Sequence, residues 1–178
     1  DTINCCLFDV GSVLRGGFEM GNVWYNEPKT LDTAFDVMGD IILSTAAQQY
    51  GGFTEPEVDK ILSPYAQKSY NKYYEEVLKY SDPSWEGREE KGRVYAWEKV
   101  CRDCDQGWQG IEYKLNTVGS SRGDYPFVTV TLGLGTGRFE KMISKSLLKV
   151  HMGGQGKAGH KKPVLFPKIV FLYDEEIH

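Results

Sequence analysis

Hydrophobic residues in this chain fall into two patterns, continuous apolar runs and runs with helical spacing. Short continuous apolar runs bounded by polar or glycine-rich segments are typical of buried β-strands. They predict strands over residues 3–10, 127–134 and 164–173. Elsewhere the apolar residues recur every three or four positions, which places them on one face of a helix. This spacing predicts helices over residues 30–50, 58–78, 94–118 and 138–151.

Boundary signals refine these predictions. Thr54 is followed three residues later by Glu57, a capping-box pattern that marks the start of a helix. Residues 81–92 are polar and contain proline and glycine, which predicts a loop. Gly107 and Gly110 interrupt the apolar pattern of the third predicted helix. The order of strand, helices, strand, helix and strand predicts an α/β fold built on a parallel sheet or barrel.

Composition narrows the class of protein. The 178 residues, 40% hydrophobic and 26% charged, suit one soluble domain with a sizeable core or a piece of a larger one. A net charge of -4 gives no reason to expect nucleic acid as a partner, and no apolar run is long enough to span a membrane. Four cysteines are too few for a disulfide framework, which favours a reducing, intracellular setting. Both ends begin or stop close to a predicted strand, so we expect the chain to be cut from a longer protein.

Two adjacent cysteines provide the first candidate for chemistry. Side chains alternate between the two faces of a strand, so Cys5 shares a face with Asp9, whereas Cys6 shares one with Phe8 and Val10. The Cys6 face is apolar and suits packing under helices. A thiol and a carboxylate on the other face favour a functional site there, because burying them without one is costly. The alternative is that both thiols pack as small hydrophobic groups.

A glycine-rich turn, residues 133–137, follows the second predicted strand. Glycines at a strand-to-helix junction let backbone amides approach an anionic ligand. The spacing matches neither the dinucleotide fingerprint nor the phosphate loop, so a simple tight turn is the alternative. Residues 152–162 form a glycine- and lysine-rich segment that either meets phosphates or is a solvated loop.

A second cysteine pair, Cys101 and Cys104, has the spacing of half a zinc site or of a redox motif. No other cysteine pair with this spacing accompanies it and no suitable pair of histidines lies nearby, so four zinc ligands cannot be counted. The pair also falls inside a predicted helix rather than at a helix start after a strand, where a redox motif is expected. A structural role is therefore predicted, with no metal site.

Several short strings occur in order along nearly the whole chain: NCCL with Asp9, GFEMGN, EPKT, QYGG, SYNK, IEYKLNT, PFVT, LGLGT and FPKIVF. Together they resemble the anaerobic (class III) ribonucleoside-triphosphate reductases. Residues 81–109 do not share this resemblance and suggest a divergent insertion.

The resemblance implies a glycyl-radical enzyme built on a ten-stranded α/β barrel. Residues 1–178 would form one partial domain, the first half of that barrel. The family reduces ribonucleoside triphosphates to deoxyribonucleotides, and we expect a cytoplasmic homodimer activated by a radical-SAM protein. The glycyl radical and a C-terminal zinc site would lie outside these residues, so this segment alone should be inactive. The reductant is formate or a thiol, and the resemblance assigns reduction of the substrate radical to Cys5.

The resemblance also implies a site for deoxynucleotide or ATP effectors between helices at a dimer interface. The matching positions are Asn26, Lys29, Asp40 and Lys72. The two lysines keep the charge expected for phosphate contacts. Asn26 stands where an acidic residue is expected and Asp40 where a glutamine is expected, which leaves the identity of the effector open.

In this interpretation the glycine turn helps to position the nucleotide substrate, through Gly133, Gly135 and Thr136. Two alternatives remain at this point. The chain could be a non-catalytic nucleotide-binding and dimerisation module that keeps the same fold. It could also be part of a different member of the glycyl-radical superfamily, because the barrel pattern alone does not assign the chemistry.

Overall fold

A computed structural model of the chain describes residues 5–49, 51–119 and 123–178. Ile3, Asn4 and Tyr50, which belong to predicted elements or motifs, lie outside these ranges. The strands are β1 (Cys6–Leu7), β2 (Phe18–Met20), β3 (Val23–Tyr25), β4 (Phe53–Glu55), β5 (Val128–Leu132) and β6 (Lys168–Phe171). The helices are α1 (Val10–Leu14), α2 (Leu31–Ala47), α3 (Val58–Tyr80), α4 (Arg88–Thr117) and α5 (Arg138–Gly153).

The main sheet of the described residues has the strand order β1-β4-β5-β6, with every neighbouring pair parallel. The register aligns Cys6 with Phe53 and Phe53 with Val128. Each connection must return to the same end of the sheet before the next parallel strand begins, so each one carries helices. This confirms the α/β class and the parallel sheet predicted from the sequence. A separate hairpin pairs β2 with β3.

The helices cover one face of this sheet and leave the other open. On β5 the side chains of Val128, Val130 and Leu132 are buried, whereas the intervening Thr129 and Thr131 are only partly buried. Within the described residues, this strand is therefore fully buried on one face only. We call the less covered side the open face, and it carries Leu7, Thr54, Thr129, Thr131, Lys168 and Val170.

Most of the predicted helices are present, and among the described helices α3 and α4 make the most extensive contact. The predicted helices over residues 30–50, 58–78 and 138–151 are confirmed as α2, α3 and α5. The loop predicted over residues 81–92 was wrong in its second half, because α4 already begins at Arg88 and continues to Thr117. Residues 81–109, expected as an insertion, therefore comprise a short connection and the first part of a helix that packs along α3.

Short elements account for the other differences from the predicted pattern. Thr54 does not cap a helix, because it lies in β4, and α3 begins only after Glu57. The first predicted strand ends early, since Val10 starts α1 with Asp9 as its N-cap. The third strand is also shorter than predicted and includes only Lys168–Phe171. The β2–β3 hairpin lies in a segment that the apolar pattern predicted only as a connection.

Glycine allows α2 and α4 to approach each other closely. A Cβ atom added to Gly107 would lie 2.1 Å from a ring carbon of Phe35 on α2. Phe35 in turn packs edge-on against Trp108, with ring centroids 5.0 Å apart, and the Trp108 indole is fully buried. Gly107 therefore permits the helix crossing rather than interrupting α4. A Cβ atom at Gly110 would meet nothing within 4 Å.

We predict that Gly107→Ala lowers the free energy of unfolding by about 1–3 kcal/mol, because the added methyl group must displace the Phe35 ring. Gly110→Ala is the matched control in the same helix. It should leave stability unchanged or raise it by up to about 1 kcal/mol, since alanine is the better helix former. Urea unfolding of the intact protein measures both effects. Equal stability changes in the two variants would contradict this account of the crossing.

Glu55 is a buried acid in the middle of the sheet. Its side chain is fully buried on the helix-covered face, and one carboxyl oxygen accepts the Val10 amide at 3.1 Å. Its other carboxyl oxygen has no hydrogen-bond partner among the described residues. Burial raises the pKa of this carboxyl from 4.5 to about 9, so the folded protein holds Glu55 protonated at neutral pH.

We predict that Glu55 makes the folded state less stable as the pH rises. Between about pH 5 and pH 9 the folded state binds a proton that the unfolded state releases, so the free energy of unfolding falls with pH. Glu55→Gln keeps an oxygen that can accept the Val10 amide but cannot ionise. Its unfolding midpoint in urea should depend less on pH over this range than that of the wild type. Parallel pH profiles for the two proteins would show that Glu55 is not buried as a neutral acid.

Candidate active site

The open face begins at Cys5. Cys5 immediately precedes β1 and is exposed, and Leu7, next on the same face, is 73% exposed. Cys6 is partly buried, while Phe8 and Val10 beyond it pack on the core. The structure thus separates the two adjacent thiols in the way that strand alternation predicted. Cys5 is therefore a free, accessible thiol at the edge of the open face.

The glycine turn follows the carboxyl end of β5, and Asp59 at the start of α3 holds it in place. One Asp59 carboxylate oxygen accepts the amides of both Gly133 and Gly135, each at 3.1 Å. Asp59 is fully buried in the first turn of α3. These two amides, expected to approach a ligand, are therefore engaged by the protein itself. Thr136 is exposed at the tip of the turn.

A hydrogen bond between the start of α3 and β5 fixes the same end of the sheet. The Glu57 amide donates to Thr131 Oγ1 at 2.8 Å, which joins the start of α3 to the open face of β5. Glu57 has a left-handed backbone with φ of 48°. Such a conformation is uncommon for a residue with a side chain, and here it turns the chain from β4 into α3.

A cavity of about 430 Å³ lies between α1 and α3, close to the ends of β1 and β4. Its charged lining residues are Asp9, Arg15, Glu27, Glu57, Lys60 and Lys68. Lys68 pairs with Glu27 at 3.3 Å, and this contact lowers the pKa of the Glu27 carboxyl. The balanced lining gives the cavity no strong preference for anions or cations.

Three of the four positions expected to bind an effector lie at the junction of α2 and α3. The Leu31 amide donates to Ser69 Oγ at 2.8 Å, so the start of α2 rests on α3. Lys72 lies one turn beyond Ser69 on α3, and Lys29 and Asn26 precede Leu31 by two and five residues. The side chains at positions 26, 29 and 72 are exposed. Two lysines and an asparagine near this junction are therefore accessible.

The fourth expected position is separate from this group. Asp40 lies about 14 Å further along α2 than Leu31, given the rise of a helix. Its carboxylate pairs with Lys114 of α4 at 3.5 Å. Within one copy of the chain, Asp40 therefore faces α4 rather than the α2–α3 junction.

The second cysteine pair lies on α4, away from the open face. Cys104 is buried in the core, and burial raises the pKa of its thiol to about 12. Cys101 is partly buried, and burial also raises the pKa of its thiol. Raised pKa values make thiols poor nucleophiles and poor metal ligands. Within the described ranges, no three His, Cys, Asp or Glu side chains lie together as a metal ion would require.

Sequence reasoning missed Asp59 and Glu55. Both are carboxylates with no motif around them, and each is recognisable only by its burial in the folded chain. The one available signal for Asp59 was its place in the first turn of a helix, which favours acidic residues in any protein.

In the part of the chain that is described, no helix is long and apolar enough to cross a membrane.

Comparison with known proteins gives a consistent result along the whole chain. The family model described as anaerobic ribonucleoside-triphosphate reductase matches residues 1–178. The anaerobic ribonucleoside-triphosphate reductase of Enterobacteria phage T4 is 38% identical over 175 residues, which cover 98% of this chain and 27% of that protein. The Haemophilus influenzae protein of the same name is 40% identical over 168 residues, covering 94% of this chain and 22% of the relative. The chain thus spans about a quarter of the length of these relatives.

Solved structures show the same fold. The anaerobic ribonucleotide reductase from Thermotoga maritima, crystallised with dATP and CTP, superimposes with a TM-score of 0.56. The match covers 83% of this chain and 24% of that protein, at 11% identity. Such low identity supports the fold alone, whereas the sequence matches extend over every element of the present structure. The chain belongs to the anaerobic ribonucleoside-triphosphate reductase family.

Proposed function

We propose that this chain is part of an enzyme that reduces ribonucleoside triphosphates to deoxyribonucleoside triphosphates by radical chemistry, with Cys5 as a reducing residue. The observation that carries the proposal is the accessible Cys5 thiol at the start of the open face. An S–H group there can give a hydrogen atom to a radical on a bound nucleotide. Family membership supports the substrate class, and the accessible position of Cys5 is consistent with the role proposed for it.

We further propose that the parallel sheet is the first half of a ten-stranded barrel whose interior is the open face. Among the described residues, β1 and β6 each pair on one side only. Leu7 and Val170 on the open face are 73% and 44% exposed, which is unfavourable for apolar side chains in an isolated sheet. Closing the barrel would remove both edges and cover these side chains.

The remaining parts of the reaction belong to groups outside these residues. A stored glycyl radical would supply the unpaired electron that radical reduction requires. The family also has a zinc site near the C-terminus. This chain's own contribution is to present Cys5 and to shape the substrate site with the glycine turn. The electrons come from formate or from a thiol reductant. A radical-SAM protein is the proposed activator, and the proposed setting is the cytoplasm.

Effector binding is proposed at the α2–α3 junction, in a homodimer. Lys29 and Lys72 are exposed there without carboxylate partners among the described ion pairs, so their charges are available for phosphate. Asp40 lies too far along α2 to join them within one copy. It would contribute only if a second copy brings its own α2 against this junction.

We predict that Cys5→Ala abolishes ribonucleoside-triphosphate reduction by the intact, activated protein, while the glycyl radical still forms. The reason is that the variant lacks the hydrogen donor but not the groups that create the radical. Cys6→Ala is the matched control, because Cys6 is the neighbouring thiol on the covered face. Its turnover should stay within about threefold of the wild type. Anaerobic product assays with electron paramagnetic resonance detection of the radical measure both quantities.

Full turnover in Cys5→Ala would remove Cys5 from the mechanism. An intact wild-type protein that binds nucleotides but reduces none would instead favour the non-catalytic nucleotide-binding and dimerisation module.

We predict that Lys72→Ala raises the effector concentration needed for half-maximal stimulation by about tenfold, because a charge-assisted phosphate contact is lost. The rate without effector should be unchanged. Lys79→Ala is the control, since Lys79 is an exposed lysine near the far end of the same helix. Titrations of dATP against turnover test the difference. An identical effector response in the two variants would place the effector site elsewhere.

A further inference from the structure

Asp59 is the only described residue that binds two amides of the glycine turn through one side chain. Its carboxylate is fully buried and lies 74 and 76 positions before Gly133 and Gly135 in sequence. Both amides point to the same oxygen at 3.1 Å. The turn therefore closes around a protein carboxylate in the way that such turns elsewhere close around an anion.

The other sides of the turn are equally restricted. A Cβ atom at Gly133 would lie 2.7 Å from the Leu172 carbonyl oxygen, and its φ of 120° favours glycine. A Cβ atom at Gly135 would lie 2.3 Å from Glu140 Cβ and 2.9 Å from Asp59 Oδ2. The backbone of the turn thus packs closely against α3, α5 and the segment after β6.

Stability alone does not explain an acid at this position. Burying a carboxylate is costly, and Asp59 Oδ1 has no hydrogen-bond partner in the described part of the chain. A neutral side chain with one oxygen could accept the same two amides at a lower cost. This interaction opposes folding, yet it fixes the turn. We therefore explain it by the function of the turn in binding substrate rather than by stability.

We propose that Asp59 is a positioning residue for the substrate-binding turn, an inference that rests on the proposed function. Asp59 holds the amides of Gly133 and Gly135 toward α3, so these amides do not contact the nucleotide. The exposed residue of the turn is Thr136. In this arrangement the two glycines permit close packing, and Thr136 is the group that meets the substrate.

The test uses three variants of the intact, activated protein. Asp59→Ala removes both hydrogen bonds, whereas Asp59→Asn retains an oxygen that can accept them. Glu55→Ala is the control for general destabilisation, because Glu55 is an equally buried acid that does not touch the turn. The measurements are kcat and KM for a ribonucleoside triphosphate, the yield of glycyl radical, and hydrogen exchange of the backbone amides in residues 132–136.

We expect Asp59→Ala to raise KM by about tenfold or more with the radical yield retained, and to accelerate exchange of the turn amides. Asp59→Asn should restore KM to within about threefold of the wild type. Glu55→Ala should leave KM unchanged even where it lowers stability.

The proposal is overturned if Asp59→Ala leaves KM unchanged, or if Glu55→Ala raises KM as much as Asp59→Ala does. Failure of Asp59→Asn to restore KM would also contradict a role through hydrogen bonds to the turn. A wild-type protein that reduces no ribonucleotide would contradict the proposed function instead. Hydrogen exchange tests the contact between Asp59 and the turn independently of turnover. Unchanged exchange in Asp59→Ala would show that Asp59 does not hold the turn.

Discussion

Parallel pairing of four strands is the constraint from which the rest of this structure follows. Each parallel connection must cross back along the sheet, and here the crossing segments place their helices over the same face. The covered face takes up Phe53, Val128 and Val130, and it forms the core with α2 to α5. The opposite face stays open and keeps polar or exposed side chains. The one-sided sheet thus directs Cys6 toward the core and leaves Cys5 exposed.

Two acids buried on the covered side connect the strands to neighbouring elements. Glu55 joins β4 to the start of α1, and Asp59 joins the start of α3 to the turn after β5. Both links tie the carboxyl ends of neighbouring strands to elements on the covered side. A substrate site at that end would therefore rest on a turn that Asp59 holds from the helix-covered side, with Thr136 exposed. Such preorganisation lets a site hold a ligand without first ordering its own loops.

Strong local patterns could be predicted from the sequence, and long-range contacts could not. The apolar spacing of α2 and α5 and the alternation at Cys5 and Cys6 are local properties, and the structure agrees with them. The strand β4 was missed because it has three residues, one of them the buried acid Glu55. Gly107 was interpreted as an interruption because its partner, Phe35, lies on another helix. Asp59 was missed for the same reason, since its partners lie far along the chain.

We propose that the open face binds the substrate with its ribose at Cys5. The most direct measurement is a crystal structure of the intact protein with a ribonucleoside triphosphate, prepared without oxygen. We expect the ribose to lie on the open face, with a ring carbon within about 4 Å of Cys5 Sγ. A nucleotide whose ribose lies on the helix-covered side, or with Cys5 Sγ remote from every ribose atom, would contradict it.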